Sequence, residues 1–297
     1  MTRYLWVAAR RAGGFPTTAA CRAAGVSRQA FYDWSGQQAS GPSAKASADA
    51  ELVDVIKQVH ADSGGAYGSP RVTAELRRQG RRVNRKRVCR LMRLHGICGI
   101  HKRRRPRWRG AGGSRPAPAD LVRRDFRPGP PDRVWAGDIT YIPTGQGWLH
   151  LAVVLDLGSR RVVGYSMAPH MAAQLVIDAL DTAAASRGGD VKGVIFHSDR
   201  GPQYLSGDFA SALARHGMSQ SAGRVANCWD NSVAESFFAT LKRELVTQTR
   251  FSSRDQARRE VFAWIGRYNT RRIHSTLDYQ TPTEWEEHHR QRLNQAA

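Results

Sequence analysis

The chain lacks the features that mark secreted, disulfide-bonded or membrane proteins. Its 297 residues include four scattered cysteines and no Cys-x-x-Cys pair, which leaves no suitable spacing for a zinc site. No apolar run approaches the roughly eighteen residues of a membrane helix, and the N-terminus has no secretory apolar segment. We therefore expect a reduced cytoplasmic protein without structural disulfides and without a membrane partner.

Acidic residues are also in short supply. The chain has 46 Lys or Arg against 25 Asp or Glu, a formal charge of +21. The segment Arg71 to Arg109 alone holds 16 basic residues and one acid, Glu75, a net charge of +15. Such an excess predicts a polyanionic partner, bound through phosphate contacts that weaken as salt rises. A merely solvated basic face is the less favoured alternative.

Residues 1–35 have the pattern of a small helical module. Thr17 to Ala24 is helix-permissive, Gly25 makes a turn, and Ser27 can cap a helix from Arg28 to Trp34. Two helices joined by a Gly-containing turn predict a helix-turn-helix, whose second helix enters a major groove. The candidate DNA contacts of this module are Ser27, Arg28 and Gln29.

A second basic helical module is predicted over residues 49–109, after a flexible linker from Gly36 to Ala48 that is rich in small residues. Ser69-Pro70 can begin one helix, and Asn84 can cap another with an apolar inner face and a basic outer face. This pattern suits the DNA backbone; alternatively, the module mainly packs on the core and only its rim touches DNA. Its candidate DNA contacts are Arg85, Lys86, Arg87 and Arg90, followed in a basic tail by Arg103, Arg104 and Arg105.

The main domain is expected over residues 125–245, with a helical C-terminal extension over residues 246–297. Three antiparallel strands followed by alternating helices and strands predict an α/β fold with a mixed five-stranded sheet. In the extension, the tail around Arg271, Arg272 and His274 is expected to be a structural cap, with direct DNA contact as the alternative. Strands are predicted at 134–142, 148–156, 161–167, 193–198 and 218–221, and helices at 171–185, 206–216 and 231–245.

Three carboxylates lie where chemistry is expected. Asp138 lies in a strand-like apolar run, Asp199 follows another 61 positions later, and Glu235 opens a helix-like segment 36 positions further on. Unpaired carboxylates are costly to bury in such runs. Two Asp on strands and a Glu on a later helix can converge on a pair of hard divalent cations. Two such ions, about 3.5–4 Å apart, stabilise the attacking and leaving oxygens of an in-line phosphoryl transfer.

Three residues near these acids have competing interpretations. The segment 232–235, Ser-Val-Ala-Glu, has the pattern of a capping box, in which Glu235 would fold back on its own helix. Asp156 ends an apolar run and could compete for a metal, although a turn or salt-bridge role is favoured. His197, on the same strand face as Asp199, could orient water or phosphate, or simply be packed and hydrogen-bonded.

The sequence around the three acids resembles the integrase core of insertion-sequence transposases. The matching contexts are Trp-Ala-Gly-Asp138-Ile-Thr-Tyr-Ile, His-Ser-Asp199-Arg-Gly-Pro-Gln-Tyr and Asp-Asn-Ser-Val-Ala-Glu235-Ser-Phe-Phe-Ala-Thr-Leu-Lys242. More narrowly, the chain resembles the second-reading-frame product (OrfB) of the insertion-sequence-three family, relatives of retroviral integrases. The spacing of Asp199 and Glu235 matches that family, as does Lys242, two helical turns after Glu235 and hence on its face.

The resemblance implies a ribonuclease-H-like fold, with Asp138 and Asp199 on neighbouring central strands. It implies that Asp138, Asp199 and Glu235 hold two Mg²⁺ ions, with Mn²⁺ as a substitute, for DNA cleavage and strand transfer without a covalent protein intermediate. Lys242 and Arg243 would contact DNA phosphate near the cleavage point; for Lys242, an ordinary surface lysine is the alternative.

The resemblance also implies partners and a location. These are double-stranded DNA with the element's terminal inverted repeats, target DNA, other copies of the chain, and the upstream-frame product (OrfA), separate or fused, in a bacterial nucleoid. Two other functions use the same features. A metal-dependent nuclease or resolvase would cut without joining, and a regulator from a decayed element would bind DNA without chemistry, although the intact triad argues against decay.

Overall fold

The computed structural model describes residues 2–40, 43–100, 118–123, 125–223 and 232–296. Arg103, Arg104 and Arg105, which are candidate DNA contacts, lie outside the described residues. The first helices are α1 (Arg3–Ala12), α2 (Thr17–Ala24) and α3 (Arg28–Ala39). They enclose a small core of Val7, Ala20, Cys21 and Phe31.

The turn between α2 and α3 forms as the sequence predicts. Gly25 has a φ of +64°, a left-handed conformation that glycine adopts without a steric penalty. The hydroxyl of Ser27 accepts a hydrogen bond of 3.1 Å from the backbone N–H of Ala30, which makes it the N-cap of α3. The two predicted helices and the cap are thus confirmed.

The flexible linker predicted from Gly36 to Ala48 is wrong at both ends. Helix α3 continues to Ala39, and α4 (Ala44–Asp62) already begins at Ala44, where the Ser43 hydroxyl accepts a hydrogen bond from the N–H of Ala46. The small residues that suggested a linker include alanines, which are the best helix formers. A serine at the N-cap then fixes where the second helix starts.

Helices α4, α5 (Ser69–Arg78) and α6 (Arg85–Leu94) form a second helical unit around Ile56, Leu76 and Val88. The side chain of Asn84 accepts a hydrogen bond of 2.8 Å from the N–H of Lys86 and caps α6, as predicted. Ile273, far along the chain, completes the core of this unit. The unit therefore packs on the C-terminal tail while the basic face of α6 stays outside.

A mixed five-stranded sheet forms the centre of the main domain, as predicted. Strands β1, β2 and β3 are antiparallel, whereas β4 and β5 run parallel to β1, in the order β3-β2-β1-β4-β5. The strand bounds are Val134–Thr144 (β1), Gly147–Asp156 (β2), Val162–Ala168 (β3), Ile195–Ser198 (β4) and Ser219–Ala222 (β5).

Helices cover both faces of the sheet. Helices α7 (Ala173–Ser186) and α8 (Gly207–Arg215) pack on one face around Trp135 and Phe196. Helices α9 (Ser232–Leu241) and α10 (Arg254–Thr270) pack on the other around Ile142, Phe237 and Trp264. This three-layer arrangement is the ribonuclease-H-like fold that the resemblance implies.

The end of α9 departs from the single helix predicted to Leu245. The segment Lys242–Val246 is a π-helical turn, a rare feature that occurs often at functional sites. Beyond α10, a 3₁₀ turn (Ser275–Leu277) leads to α11 (Pro282–Ala296), whose buried Glu286 receives hydrogen bonds from Arg161 and Arg187. These contacts anchor the C-terminal extension to the main domain.

The length and hydropathy of the described helices bear on whether any of them could span a membrane. Within the ranges given above, no helix combines the length and the apolar character needed to cross a lipid bilayer.

Two glycines provide a matched test of this packing. A Cβ at Gly164, on β3, would lie 2.5 Å from the backbone nitrogen of Ala183 in α7, so Gly164→Ala should lower the free energy of unfolding by about 1–3 kcal/mol. Gly266, in the exposed interior of α10, has no neighbour that an added Cβ would meet. Gly266→Ala should raise the free energy of unfolding by about 0.5–1 kcal/mol. Urea denaturation measures both changes, and a neutral Gly164→Ala would contradict the close approach of α7 to β3.

Candidate active site

The two predicted catalytic aspartates lie where two parallel strands separate. Strand β1 pairs with β4 as far as Gly137 and Ser198, which are partners in the parallel register. Asp138 is the next residue of β1, and Asp199 is the first residue after β4. The crevice outside the carboxyl ends of parallel strands is the usual ligand site of such sheets. The structure therefore brings these carboxylates together at one edge.

Aromatic side chains pack directly beneath the point where β1 and β4 separate, which we call the fork. Their closeness requires a glycine at position 137. A Cβ on Gly137 would lie 2.7 Å from a ring carbon of Phe196 and 3.1 Å from one of Tyr204. The rings of Phe196 and Tyr204 pack in turn against Phe209, with ring centroids 5.1 and 5.3 Å from it. This buried cluster fixes the ends of both strands and removes water from beneath the two aspartates.

Asp138 is half-buried, and its carboxyl group has a raised pKa. Burial, followed by the negative charges of Asp199 and Glu235, raises its pKa to about 7, while the Ile139 N–H and the Lys242 ammonium act in the opposite direction. One carboxylate oxygen accepts a hydrogen bond of 2.8 Å from the Ile139 N–H. Asp138 is thus held in place amid like charges.

Asp199 is exposed and is oriented by the turn that follows it. Its Oδ1 accepts a hydrogen bond of 2.9 Å from the N–H of Gly201, and a Cβ on that glycine would come within 2.9 Å of the same oxygen. On the strand before it, His197 is buried, with Nδ1 2.9 Å from the hydroxyl of Ser221. This contact agrees with the interpretation of His197 as a packed, hydrogen-bonded residue.

Glu235 approaches the two aspartates from α9, and Lys242 from the π-helical turn that follows it. Glu235 is exposed in the first turn of α9, and both residues influence the pKa of Asp138, which places them within electrostatic reach of it. The Lys242 ammonium also lies 5.0 Å from the centre of the Tyr141 ring. Within the described ranges, no three His, Cys, Asp or Glu side chains are placed to hold one metal ion together.

Asp156, the possible competitor for a metal, has a structural role in the β2–β3 turn. It is fully buried; its Oδ1 accepts hydrogen bonds from the N–H and hydroxyl of Ser159, and its Oδ2 accepts one of 2.7 Å from the N–H of Asp132. Burial raises its pKa to about 6 despite these donors. The turn role favoured from the sequence is the one observed.

An exposed aromatic pair beside the fork was not predicted. Tyr141 and Trp148, on the β1–β2 hairpin, are 56% and 51% exposed and meet edge to face with ring centroids 5.0 Å apart. Tyr141 follows Asp138 by three residues, on the part of β1 that extends beyond β4. The available signal was one aromatic residue on each strand of the β1–β2 hairpin, close to its turn.

The candidate DNA contacts of the first helical module lie at the start of α3. Arg28 is exposed there. Ser27 uses its hydroxyl as the N-cap, and the amide of Gln29 donates a hydrogen bond of 2.9 Å to Asp33. Of the three, Arg28 is the one whose side chain makes no hydrogen bond or ion pair among the described residues.

The candidate contacts on α6 divide into two pairs. Arg85 and Lys86 are exposed. Arg87 and Arg90 instead form ion pairs of 2.7 and 2.6 Å with Asp49 of α4 and lower the pKa of that carboxyl, Arg90 having the larger effect. Asp49 thus removes part of the positive charge that the sequence assigned to DNA. Arg243, after α9, is half-buried and donates to the hydroxyl of Thr240.

Comparison with known proteins gives matches along most of the chain. Two family models described as "Integrase core domain" match residues 129–228 and 216–282, and one described as "HTH-like domain" matches residues 47–105. Among solved structures, the cryo-EM structure of the simian T-cell lymphotropic virus intasome in complex with PP2A regulatory subunit B56 gamma is 16% identical. Its TM-score is 0.46, with 78% of this chain and 74% of that chain covered.

Curated relatives are much closer in sequence. The transposase for insertion sequence element IS904 of Lactococcus lactis subsp. lactis (strain IL1403) is 40% identical over 241 residues, covering 80% of this chain and 94% of the relative. Transposase InsF for insertion sequence IS3A of Escherichia coli (strain K12) is 38% identical over 273 residues, covering 92% of this chain and 94% of the relative. The chain therefore belongs to the insertion-sequence-three (IS3) family of transposases.

Proposed function

We propose that Asp138, Asp199 and Glu235 form the divalent-metal site with which this transposase cleaves the ends of its insertion sequence and joins them to target DNA. DNA transposition is the activity of the family to which the chain belongs. The proposal concerns the residues, the metal and the partners. The observation that carries it is the register of β1 and β4, which sets Asp138 and Asp199 side by side just beyond their last paired residues.

The donor set fits a hard divalent cation. All three side chains are carboxylates, the ligands that Mg²⁺ and Mn²⁺ prefer. The pKa of Asp138 is raised first by burial and then by the negative charges of Asp199 and Glu235, and a bound cation would favour the ionised carboxylate against both effects. Asp138 and Asp199 would hold one ion, and Glu235 would complete the site of a second. Such sharing does not require three carboxylates around a single ion.

When bound, the two ions would supply activation of the attacking 3′-hydroxyl or water and stabilisation of the leaving 3′-oxygen. The residues of the chain supply position. The Ile139 and Gly201 N–H groups fix one oxygen of Asp138 and of Asp199, so both carboxylates are preorganised. No Cys, Ser or Tyr nucleophile is required.

Lys242 would contact a DNA phosphate next to the carboxylates as a point charge. Its ammonium lies 5.0 Å from the centre of the Tyr141 ring, and its charge lowers the pKa of Asp138. The exposed Tyr141–Trp148 pair offers an apolar surface for a base or sugar beside it. Further contacts to the DNA backbone would come from exposed or half-buried basic residues: Arg243, Arg85, Lys86 and Arg28. Arg87 and Arg90 would contribute less, because Asp49 neutralises part of their charge.

The working form would be an assembly of several copies on double-stranded DNA. Each reaction involves the terminal inverted repeats of the element and a target, so more than one duplex must be held at once. The chain carries no sustained heptad repeat. A coiled coil for the assembly would therefore come from the upstream-frame OrfA product, separate or fused, and the complex would form on nucleoid DNA in the cytoplasm.

Replacement of one aspartate tests the catalytic assignment. Asp199→Asn keeps the size of the side chain but removes a charge, and it should lower strand joining more than about 100-fold, because loss of an outer-shell partner alone costs about 10–100-fold. Asp190→Asn is the matched control, since Asp190 is exposed and outside the fork. Labelled oligonucleotides from the DNA flanking the gene, with Mg²⁺ or with a chelator, report the joined products.

The product pattern separates the three functions. Joined strands that require Mg²⁺ and vanish in Asp199→Asn support the transposase site. Cut strands that are never joined, even with the upstream-frame product present, would point to a nuclease. Binding with neither product would leave a DNA-binding regulator and overturn the proposal.

The raised pKa of Asp138 predicts a pH dependence of stability. The pKa rises from 3.8 to about 7 on folding, so the folded chain binds this proton more tightly than the unfolded chain. The resulting stabilisation is fully present below a pH of about 4 and is lost as the pH rises through about 7. With a chelator, the melting temperature of the wild type should therefore fall relative to that of Asp138→Asn across this interval.

The same two proteins report metal binding. Mg²⁺ above a pH of about 7 should raise the melting temperature of the wild type and have little effect on Asp138→Asn, because a cation that binds only the folded state stabilises it. Asp156 has a similar shift, to about 6, but it is present in both proteins and cancels in the difference. Parallel curves with pH would show that Asp138 is not the group that titrates.

A further inference from the structure

A basic cavity lies behind α9, at the junction of the second helical unit, the main domain and the C-terminal tail. Its volume is about 320 Å³, within the range of about 300–1,000 Å³ that is usual for ligand pockets. Four arginines line it, contributed by all three parts of the chain: Arg71, Arg160, Arg243 and Arg272.

The described residues around the cavity leave most of its positive charge without a paired carboxylate. Glu244, the acid among the described lining residues, is already paired with Arg272 at 2.9 Å. No carboxylate in the described part of the chain forms an ion pair with Arg71, Arg160 or Arg243; Arg71 donates to the carbonyl oxygen of Ile273, and Arg160 to that of Phe126. Three guanidinium groups therefore keep their charge in a partly desolvated space.

Two buried nitrogen atoms at this cavity have no hydrogen-bond partner among the residues that the structure describes. They are Nη1 of Arg160, a residue only 8% exposed, and Nε2 of His274. Leaving a buried donor unsatisfied costs about 1–3 kcal/mol, and more for a charged group, so such atoms are rare and call for an explanation. An anion in the cavity would supply acceptors that the protein does not.

Three of the arginine charges act on His274, which also lines the cavity. Burial and then the charges of Arg272, Arg71 and Arg160 lower the pKa of His274 well below its usual value. His274 is therefore neutral, and its ring packs edge to face on Tyr268 with centroids 4.9 Å apart. The three arginines act on the same small volume, as they would on a bound anion.

Helix α9 links this cavity to the candidate active site. Ser232, Ser236 and Thr240 line the cavity with their hydroxyl groups, and at about 100° per residue they lie roughly 60–140° around the helix from Glu235. A nucleic-acid strand that starts at the carboxylates and crosses α9 would therefore meet these residues and the cavity arginines less than halfway around the helix.

We propose that this cavity binds a phosphate group, and that in the transposition complex a backbone phosphate of the bound DNA fills it. Arginine and hydroxyl donors are the groups that recognise phosphate, and guanidinium can do so through two parallel hydrogen bonds. Because the cavity joins three parts of the chain, the phosphate would also hold the second helical unit against the main domain. The DNA source of the phosphate rests on the proposed function, whereas the phosphate site does not.

Charge removal at Arg243 tests the site. Arg243→Gln should reduce the slope of log affinity against log salt for a labelled duplex by about one, since each phosphate contact contributes about 0.9. Arg243→Lys should restore most of the slope. The matched control is Arg259→Gln, which removes the same charge from an exposed position on α10. Fluorescence anisotropy over a salt series measures the slopes in the full chain.

Inorganic phosphate distinguishes the source of the ligand. If the cavity takes phosphate, its addition should raise the melting temperature of the wild type to a plateau, and Arg243→Gln or Ser236→Ala should weaken this rise. A reduced salt slope supports a DNA phosphate; a phosphate-dependent rise without a change in slope supports a free phosphate. Unchanged slopes together with no variant-sensitive rise overturn the site. Absence of DNA binding by every protein would instead refute the proposed function, and the phosphate titration would still decide on the cavity.

Discussion

The parallel pairing of β1 with β4 is the constraint on which the site depends. It ends at Gly137 and Ser198, and the residue after each is an aspartate. The pairing can come so close to the aromatic layer only because position 137 has no Cβ, since any side chain there would collide with the Phe196 ring. Packing on one face of the sheet thus determines where the carboxylates of Asp138 and Asp199 meet. The raised pKa of Asp138 reflects its burial at this position and the nearby negative charges.

The C-terminal extension is the second organising element. Its tail supplies Ile273 to the core of the second helical unit, and the hydroxyl of Tyr67 donates to the carbonyl of Arg271 and accepts from the N–H of Ile273. On the other side, Glu286 of α11 binds Arg161 and Arg187 of the main domain. The extension therefore holds together regions that are distant in sequence, and the basic cavity is a product of that contact.

The sequence predicted most of this architecture, because its elements have local signals. Alternating and continuous apolar runs indicated the strands, and Ser27 and Asn84 were recognisable as caps from their position alone. It could not predict features decided by partners in space. Arg87 and Arg90 form ion pairs with Asp49, which precedes them by 38 and 41 positions and lies on another helix. The π-helical turn after α9 has no sequence pattern that would have predicted it. The prediction of a linker from Gly36 to Ala48 was wrong because a sequence rich in alanine is compatible with both coil and helix.

The candidate site shows the same division. Three acids and a lysine could be singled out because their spacing follows a family pattern, but the adjacency of Asp138 and Asp199 depends on the register of β1 and β4, which no spacing specifies. Arg160 and His274 lie 114 positions apart, and only the folded chain brings both to one cavity.

The contact between Tyr67 and the tail has a consequence for how the chain is made. The two residues joined by the Tyr67 hydroxyl and the Arg271 carbonyl are 204 positions apart. During synthesis, the second helical unit emerges from the ribosome long before the tail that completes its core. A copy of the gene truncated before position 270 would therefore encode a chain that lacks part of the apolar core of the second helical unit, so the loss of a C-terminal segment would also weaken the amino-terminal part of the molecule.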